Sequence, residues 1–257
     1  MTVSEFDLAP AVRALIVPGR PAAARPQLWL NSPAIVLRSD AADGPAGDDG
    51  ERTVGSRAWL WGDDEDWRFD AGSGVLTSAV WNVPEINAGT DLGLRDWDHF
   101  ATVTGTLRIE QPTDFGRPPT SVRWFDPGGT EIAGFYSSDP ATDRPRRIAI
   151  AERTHLLIAG NTIVGWAIKE PARYITGEAV APEACATEPH VRLPPLLSAF
   201  LSLVTEENID KLEVGDTEIR SGLQELATRL QAVSADGETR AAEVLSKVRQ
   251  VLEDFAV

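Results

Sequence analysis

Residue types that commonly carry chemistry are scarce in this chain of 257 residues. It contains one cysteine, Cys185, together with three histidines and three lysines. A single cysteine excludes an intramolecular disulfide, and so few cysteine and histidine side chains leave little with which to build a zinc or thiol-based site. Residues 1–20 also lack the basic start and apolar core of a secretory signal. The sequence therefore predicts a cytoplasmic protein with no metal and no cofactor.

Long apolar runs and familiar catalytic motifs are absent as well. The best apolar candidate, residues 193–204, is shorter than the roughly 18–20 residues that cross a bilayer, and it contains Pro194 and Pro195. The sequence has no nucleophile elbow, no phosphate-binding loop, no zinc-protease motif and no glycine-rich dinucleotide motif that opens a helix. We expect no membrane association, and no motif indicates an enzyme class.

Basic residues are few relative to acidic ones. The chain has 39 Asp and Glu residues against 24 Lys and Arg residues, which gives a formal charge of −15. This charge repels the phosphates of nucleic acids and anionic lipids, so neither is an expected partner. It would instead steer a basic protein toward the surface. Because almost all positive charge is arginine, and alanine, glycine and proline are abundant, the composition suggests a bacterial, GC-rich gene.

Short runs of β-branched, aromatic and aliphatic residues, separated by turn residues, dominate the middle of the chain. Such a pattern is typical of an antiparallel β domain, and Gly160-Asn161 predicts a two-residue hairpin turn. The predicted class is α+β: an N-terminal antiparallel β-sandwich or barrel-like domain followed by a C-terminal helical segment. The predicted parts are an N-terminal arm (1–26), the β domain (27–175), a linker (176–192) and the helical segment (193–257).

Two apolar seams occupy the helical segment, with spacings of four and three residues that are typical of coiled coils. They are Ile219, Leu223, Leu226, Leu230 and Val233, then Ala241, Leu245, Val248, Leu252 and Phe255. Asp216 or Thr217 is the predicted N-cap of the first helix. An eight-residue step breaks the common phase, so the seams either form an antiparallel hairpin that turns at 234–238 or an interrupted helix that pairs with another chain. In either form we expect a homo-oligomer held through these seams.

A tryptophan-flanked acidic run, RAWLWGDDEDWRFD, lies at residues 57–70. Its alternation predicts a hairpin in which residues 59–61 pair with residues 67–69 across a polar loop, 62–66. If exposed together, the side chains of the run would form an edge that binds a basic protein. The predicted partner-binding residues are Trp59, Trp61, Asp63, Asp64, Glu65, Asp66 and Trp67. The alternative is that the tryptophans fill the space between two sheets.

The richest cluster of titratable side chains is RDWDHF at residues 95–100. In a turn, Asp96 and His99 would lie on one side while Asp98 orients the imidazole, which is an arrangement suited to acid–base catalysis. A strand would instead separate His99 from the two aspartates. A loop that enters a strand at Phe100 explains the same sequence without catalysis, so these three residues are weak catalytic candidates.

The combined pattern favours a non-enzymatic, acidic interaction protein, a regulator or neutraliser of a basic protein partner. Its helical tail would self-associate or dock on that partner. One alternative is a hydrolase-type enzyme on a β scaffold that uses Asp96, Asp98 and His99. Another is a structural subunit of a larger bacterial assembly, held through the coiled coil.

Overall fold

The computed structural model describes residues 4–22, 24–39, 52–57, 64–89, 97, 102–140, 143–177 and 187–255. Its strands, in chain order, are β1 (Ser4–Ala9), β2 (Val12–Pro18), β3 (Ala24–Trp29), β4 (Ala34–Ser39), β5 (Thr53–Ser56), β6 (Asp66–Asp70), β7 (Leu76–Asn82), β8 (Thr102–Ile109), β9 (Val122–Phe125), β10 (Glu131–Phe135), β11 (Arg146–Ala151), β12 (Thr154–Ala159), β13 (Thr162–Lys169) and β14 (Ile175–Thr176). Four helices follow: α1 (Leu193–Leu203), α2 (Glu206–Glu213), α3 (Thr217–Ala235) and α4 (Thr239–Asp254).

The strands form two sheets. The first has the order β1-β2-β8-β11-β12-β13-β10-β9, and it closes on itself because β1 also pairs with β13, at Asp7 and Thr162. The second has the order β14-β3-β4-β7-β6-β5. Most neighbouring strands are antiparallel, whereas the pairs β1–β13, β8–β11 and β3–β14 are parallel. The predicted α+β class, with a barrel-like β region followed by helices, is confirmed.

A stack of three tryptophans joins the two sheets. Trp67 on β6 and Trp81 on β7 come from the second sheet, whereas Trp166 on β13 comes from the first, and all three are fully buried. The ring centroids of Trp81 and Trp166 lie 5.9 Å apart, and those of Trp67 and Trp81 lie 5.2 Å apart. Each ring removes a large apolar area from water. Of the tryptophans in the acidic run, Trp67 therefore fills the space between the two sheets, as the alternative interpretation of that run predicted.

The N-terminal residues form strands rather than an arm. β1 pairs with β2, and β2 pairs with β8. The side chains of Phe6, Leu8 and Ile16 are fully buried. The prediction of an arm was wrong for residues 4–18, because it followed the proline- and alanine-rich composition of residues 18–26 and overlooked the apolar alternation before them. The division of the chain into domains stays a prediction.

The predicted hairpin around the acidic run has a different register. β6 pairs with β5, where Ser56 lies opposite Trp67 and Thr53 lies opposite Asp70. The partner strand is thus residues 53–56 rather than 59–61, and the connection between the strands is residues 57–65. The prediction was wrong because it assumed that the nearest tryptophans pair, whereas cross-strand packing selects the register. Trp59 and Trp61 lie outside the described residues.

Helices α3 and α4 pack against each other across a short turn that contains Gly237, whose φ is +94°. Both seams are buried between the helices and against α1, except that Ile219, Leu252 and Phe255 are only partly buried. The hairpin alternative is confirmed. Because one chain buries its own seams, it needs no second chain for that purpose, and self-association stays a prediction. None of the helices in the described ranges is long and apolar enough to cross a membrane.

A buried arginine fixes the end of α1 against the first sheet. The guanidinium of Arg123 on β9 donates to the carbonyls of Leu201 and Val204, at 2.6 and 2.5 Å, and to the side chain of Asn87 at 2.8 Å. Burial lowers the pKa of Arg123 to about 10, and Glu85 opposes this shift. A cation at the carboxyl end of a helix satisfies its last carbonyls. The start of α2, directly after these carbonyls, is capped separately by the Thr205 side chain, which accepts from the amide of Asn208.

Candidate functional site

The structure describes part of each predicted site. Asp64, Glu65, Asp66 and Trp67 of the acidic run are described, whereas Trp59, Trp61 and Asp63 lie outside the described residues. The catalytic candidates Asp96, Asp98 and His99 also lie outside them, although Trp97 between them is described. Catalysis by these three residues stays a prediction.

Two of the four described candidate residues of the acidic run face inward, whereas Asp64 and Asp66 are partly exposed. Glu65 is 1% exposed and Trp67 is 0% exposed, so these two residues do not belong to a surface that binds a partner. Asp64 accepts a hydrogen bond from the backbone of Arg117 at 3.1 Å, and Asp66 accepts one from Arg68 at 3.0 Å. The prediction of a partner-binding edge is wrong for Glu65 and Trp67. The reason is the alternation of β6, which turns Trp67 and Phe69 toward the core.

Glu65 is the centre of a polar cluster inside the protein. One carboxyl oxygen accepts from the Tyr136 hydroxyl at 2.7 Å and from the Trp67 indole at 3.3 Å. The other accepts from the backbone amide of Thr120 at 3.2 Å and lies 3.4 Å from the Thr120 hydroxyl, which donates its hydrogen to the carbonyl of Asn82 at 2.8 Å. The Glu65 carboxyl therefore has three neutral donors around it, from three separate parts of the chain. We call Glu65, Trp67, Thr120, Tyr136 and Arg117 the Glu65 cluster.

Arg117 completes the Glu65 cluster from the side of Tyr136. Its guanidinium carbon lies 3.6 Å from the centroid of the Tyr136 ring, a cation–π contact. The guanidinium donates to the carbonyl of Leu8 at 2.7 Å and to that of Ile163 at 3.4 Å, so it ties the cluster to the first sheet. The Arg117 carbonyl accepts from the Glu65 amide at 2.8 Å.

The surroundings of Glu65 act on its proton affinity in opposite directions. Burial raises the pKa of Glu65 from 4.5 to about 7, and it outweighs the hydrogen bonds and the charge of Arg117, which lower it. Burial also holds the pKa of Tyr136 well above its usual range, with the charge of Glu65 as a second cause. We therefore expect the Glu65 carboxyl to change its protonation state near neutral pH, whereas an exposed glutamate does so near pH 4.5.

Sequence reasoning missed three members of the Glu65 cluster. Arg117, Thr120 and Tyr136 lie 52 to 71 residues further along the chain than Glu65. Arg117 and Thr120 reach it because the stretch before β9 crosses the edge of the second sheet, where Phe115 donates to Gly55 at 3.2 Å, whereas Tyr136 reaches it from the end of β10. The local signal was Trp67, two residues after Glu65 and in the strand that follows it.

A second set of buried charges lies on the opposite face of the first sheet. Pairing register places Glu131, Arg147 and His155 on the face that packs around Ala133 and Leu157. Glu131 and Arg147 form an ion pair, and all three polar side chains are buried. Trp97 is buried in the same apolar cluster.

Helix α2 presents acidic side chains to solvent. Between residues 205 and 218 the chain has six acidic residues and one lysine. Glu206, Asp210 and Glu213 follow the four- and three-residue spacing of one helix face and are exposed, while Leu212 faces the core. Glu207, on the neighbouring stripe, pairs with Lys211 at 2.6 Å, which lowers the pKa of Glu207. We call Glu206, Glu207, Asp210 and Glu213 the α2 acidic face.

Two exposed apolar side chains border the α2 acidic face. Val214, directly after the helix, is 85% exposed, and Ile86 is 48% exposed. The backbone of Glu206 donates to the carbonyl of Glu85 at 3.1 Å, so residues 85–86 lie beside the start of α2. Apolar side chains within a charged rim are a common composition for protein-binding surfaces.

Surface depressions lie elsewhere. One of about 540 Å³ is lined by Arg144, Pro145, Arg146 and Gly160. Another of about 310 Å³ is lined by Asp7, Ala11, Val12, Arg13, Glu110, Gln111 and Thr113. In the part of the chain that the structure describes, no group of three His, Cys, Asp or Glu residues is arranged to hold a metal ion. Comparison of the chain with protein-family models, with curated proteins and with solved structures finds no match.

Proposed function

We propose that the protein is a non-enzymatic interaction protein that binds a basic segment of a partner protein on the α2 acidic face. The observation that carries the proposal is the arrangement of Glu206, Asp210 and Glu213 as one exposed row, on a helix whose apolar side is already buried in the chain. The notion of a regulator or neutraliser of a basic protein rests on this surface and on the net charge.

Electrostatics gives the proposed surface its selectivity. A row of carboxylates attracts lysine and arginine side chains over about one Debye length, roughly 8 Å at physiological ionic strength, and repels acidic surfaces. Complementary charge chiefly raises the association rate, whereas close apolar contacts slow dissociation. Val214 and Ile86 supply exposed apolar area for such contacts. The expected partner therefore presents basic residues around one or more apolar side chains.

The test is a pull-down from cells that express the protein, with full-length bait. The first bait is wild type, and the second carries Glu206→Gln, Glu207→Gln, Asp210→Asn and Glu213→Gln. The matched control carries Asp139→Asn, Asp143→Asn, Glu225→Gln and Glu253→Gln, four exposed acids elsewhere on the chain. Both variants change the net charge by four units. A difference in binding between them therefore reports on the α2 acidic face rather than on the overall charge.

The supporting result is a basic protein retained at near-equal molar ratio by wild type and by the control, and lost from the α2 variant. Its affinity for wild type should also fall as salt is raised. A partner that is retained by all three baits, or lost equally from both variants, would refute binding at the α2 acidic face. Point variants are preferred to truncation at residue 192, because α1, α3 and α4 share a continuous core with the sheets.

A hydrolase-type enzyme is the second candidate. It is favoured by the position of Trp97, which is buried on the sheet face that carries His155, Glu131 and Arg147. Screening of ester, peptide and glycoside substrates with wild type and with His99→Gln would test it. Turnover that the variant loses would support an enzyme, and the absence of turnover on every substrate would leave the interaction protein as the better proposal.

A further inference from the structure

Three segments of the chain meet at Glu65: β6 through Trp67, the stretch before β9 through Arg117 and Thr120, and the end of β10 through Tyr136. We propose that Glu65 is a proton-operated latch. With its proton, the carboxyl stays in the interior and the three segments remain joined. Without the proton, the carboxylate favours a locally opened state in which it reaches water. The latch does not depend on the proposed binding function.

The geometry supplies a reason for the latch. The two carboxyl oxygens take three hydrogen bonds from neutral donors, and the side chain is 1% exposed. The Thr120 hydroxyl oxygen, 3.4 Å away, can accept the carboxyl proton, because its own hydrogen goes to the carbonyl of Asn82. Neutral donors compensate an ionised carboxylate only in part, because the loss of hydration is large in a low-dielectric interior. Burial of the ionised carboxylate therefore raises the free energy of the closed structure. Opening would remove this desolvation penalty, because the carboxylate would regain its hydration.

The charged neighbours of Glu65 do not offset the effect of burial on its pKa. Arg117 is the cation that lowers its pKa, and its contribution is the smallest of those that act on Glu65. The guanidinium of Arg117 is engaged by the carbonyls of Leu8 and Ile163 and by the ring of Tyr136. Asp64 is a further negative charge beside the cluster, and Asp66 is paired with Arg68. Tyr136 is the other titratable group, and its pKa is raised further from neutrality.

Proton linkage predicts how strongly opening depends on pH. In the closed structure burial raises the pKa of Glu65 to about 7, whereas an exposed glutamate has its ordinary value of 4.5. Proton release therefore accompanies opening between these two values, so a rise in pH favours the opened state. From these two values, the opening equilibrium should increase about tenfold between pH 6 and pH 8 and level off above pH 7.

The bonds that opening would release are identifiable. The amide of Glu65 donates to Arg117, and the amide of Thr120 donates to the Glu65 carboxyl. The same stretch covers the edge of β5, where Gly55 donates to Asp114 at 3.0 Å. Opening would therefore expose these amides together, which makes them reporters of the latch.

Hydrogen exchange at single amides, measured on the full chain from pH 6 to pH 8, tests the proposal. After correction for the intrinsic rate at each pH, protection at Glu65 and Thr120 should fall about tenfold in wild type. Amides within α3 serve as internal controls and should keep their protection. The variant Glu65→Gln, which retains the shape but has no proton to release, should lose the pH dependence at both amides.

Tyr136→Phe distinguishes a proton-dependent role of Glu65 from a purely structural one. It removes a hydrogen bond that lowers the pKa of Glu65, so the pH at which opening levels off should rise. Tyr174→Phe is the matched control, because the Tyr174 hydroxyl donates to a different carboxyl, that of Glu152, at 3.0 Å. That control should leave the levelling-off pH at Glu65 unchanged.

A measurement on wild type alone keeps the test valid if a variant fails to fold. The infrared band of a protonated carboxyl should be present at pH 7 at about half of one equivalent and largely absent at pH 8, because at pH 7 the exposed carboxyls are almost fully ionised even when summed. The latch is refuted if that band is missing at pH 7. It is also refuted if protection at Glu65 and Thr120 is independent of pH, or if Glu65→Gln retains the dependence.

Discussion

Acidic side chains serve opposite purposes in two regions that resemble each other in sequence. The run Asp64-Glu65-Asp66 and the helix Glu206–Glu213 are both dense in carboxylates. In the first, Glu65 is enclosed by hydrogen-bond donors, whereas in the second the carboxylates face water. The difference comes from the neighbours: Glu65 precedes a strand whose alternate residues enter the core, while α2 buries Leu212 and leaves its other side exposed. A stretch of acidic residues in the sequence does not by itself indicate that the residues are exposed to solvent.

The largest expected effect is at the apolar side of the Glu65 cluster. Trp67→Ala should lower the free energy of unfolding by about 4 kcal/mol, because it leaves a cavity between the sheets and removes the contact with Trp81. Trp29→Ala is the control, since Trp29 is 40% exposed and should cost much less. Denaturant unfolding of both variants measures the difference. Similar losses for the two would contradict the inter-sheet role of Trp67.

The helical region was largely predictable from sequence. The seams from Ile219 and from Ala241 have helix periodicity, and the break in phase at Asp236-Gly237 marks the turn that the structure contains. Local capping agrees as well, because the Asp216 side chain accepts from the amides of Glu218 and Ile219. The residues on one face of a helix are close together in sequence and recur at regular spacing. Helices can therefore be predicted from a local stretch of sequence without the rest of the chain.

The β region was predictable in class and only partly in pairing. The Gly160-Asn161 turn lies between β12 and β13 as expected. The two N-terminal strands were missed, and the partner of β6 was misassigned. A strand's partner depends on packing across the whole sheet, which no local pattern records. The Glu65 cluster was unpredictable for the same reason, since Tyr136 and Thr120 are brought to it only by the completed topology.

The second expected effect concerns the proton on Glu65. The folded chain holds this proton up to about pH 7, whereas the unfolded chain releases it near 4.5, so the folded state binds more protons between these values. Stability contributed by Glu65 should therefore fall by about 3 kcal/mol as pH rises from 4.5 to 7. Chemical unfolding of wild type and Glu65→Gln over this range isolates the contribution. A difference between the two that does not change with pH would contradict the raised pKa.

A smaller effect is expected where an acid caps a helix. Asp216 accepts two backbone amides at the start of α3, at 2.8 and 3.2 Å. Asp216→Ala should cost about 1 kcal/mol of unfolding free energy, because those amides lose their acceptor. Asp216→Asn, which keeps an acceptor oxygen, should cost clearly less. Thermal unfolding of the two variants distinguishes them, and equal losses would indicate that the charge rather than the hydrogen bonds matters.

The smallest effect on stability is expected on the α2 acidic face. Neutralising Glu206, Glu207, Asp210 and Glu213 together should leave the unfolding midpoint nearly unchanged, because these side chains are exposed and their interactions are screened by solvent. Loss of the Lys211 pair is compensated by relief of repulsion among the four carboxylates. A large drop in stability would mean that these acids support the fold. An unchanged midpoint combined with lost partner binding would instead mean that the row of carboxylates serves recognition, in contrast to the buried carboxyl of Glu65.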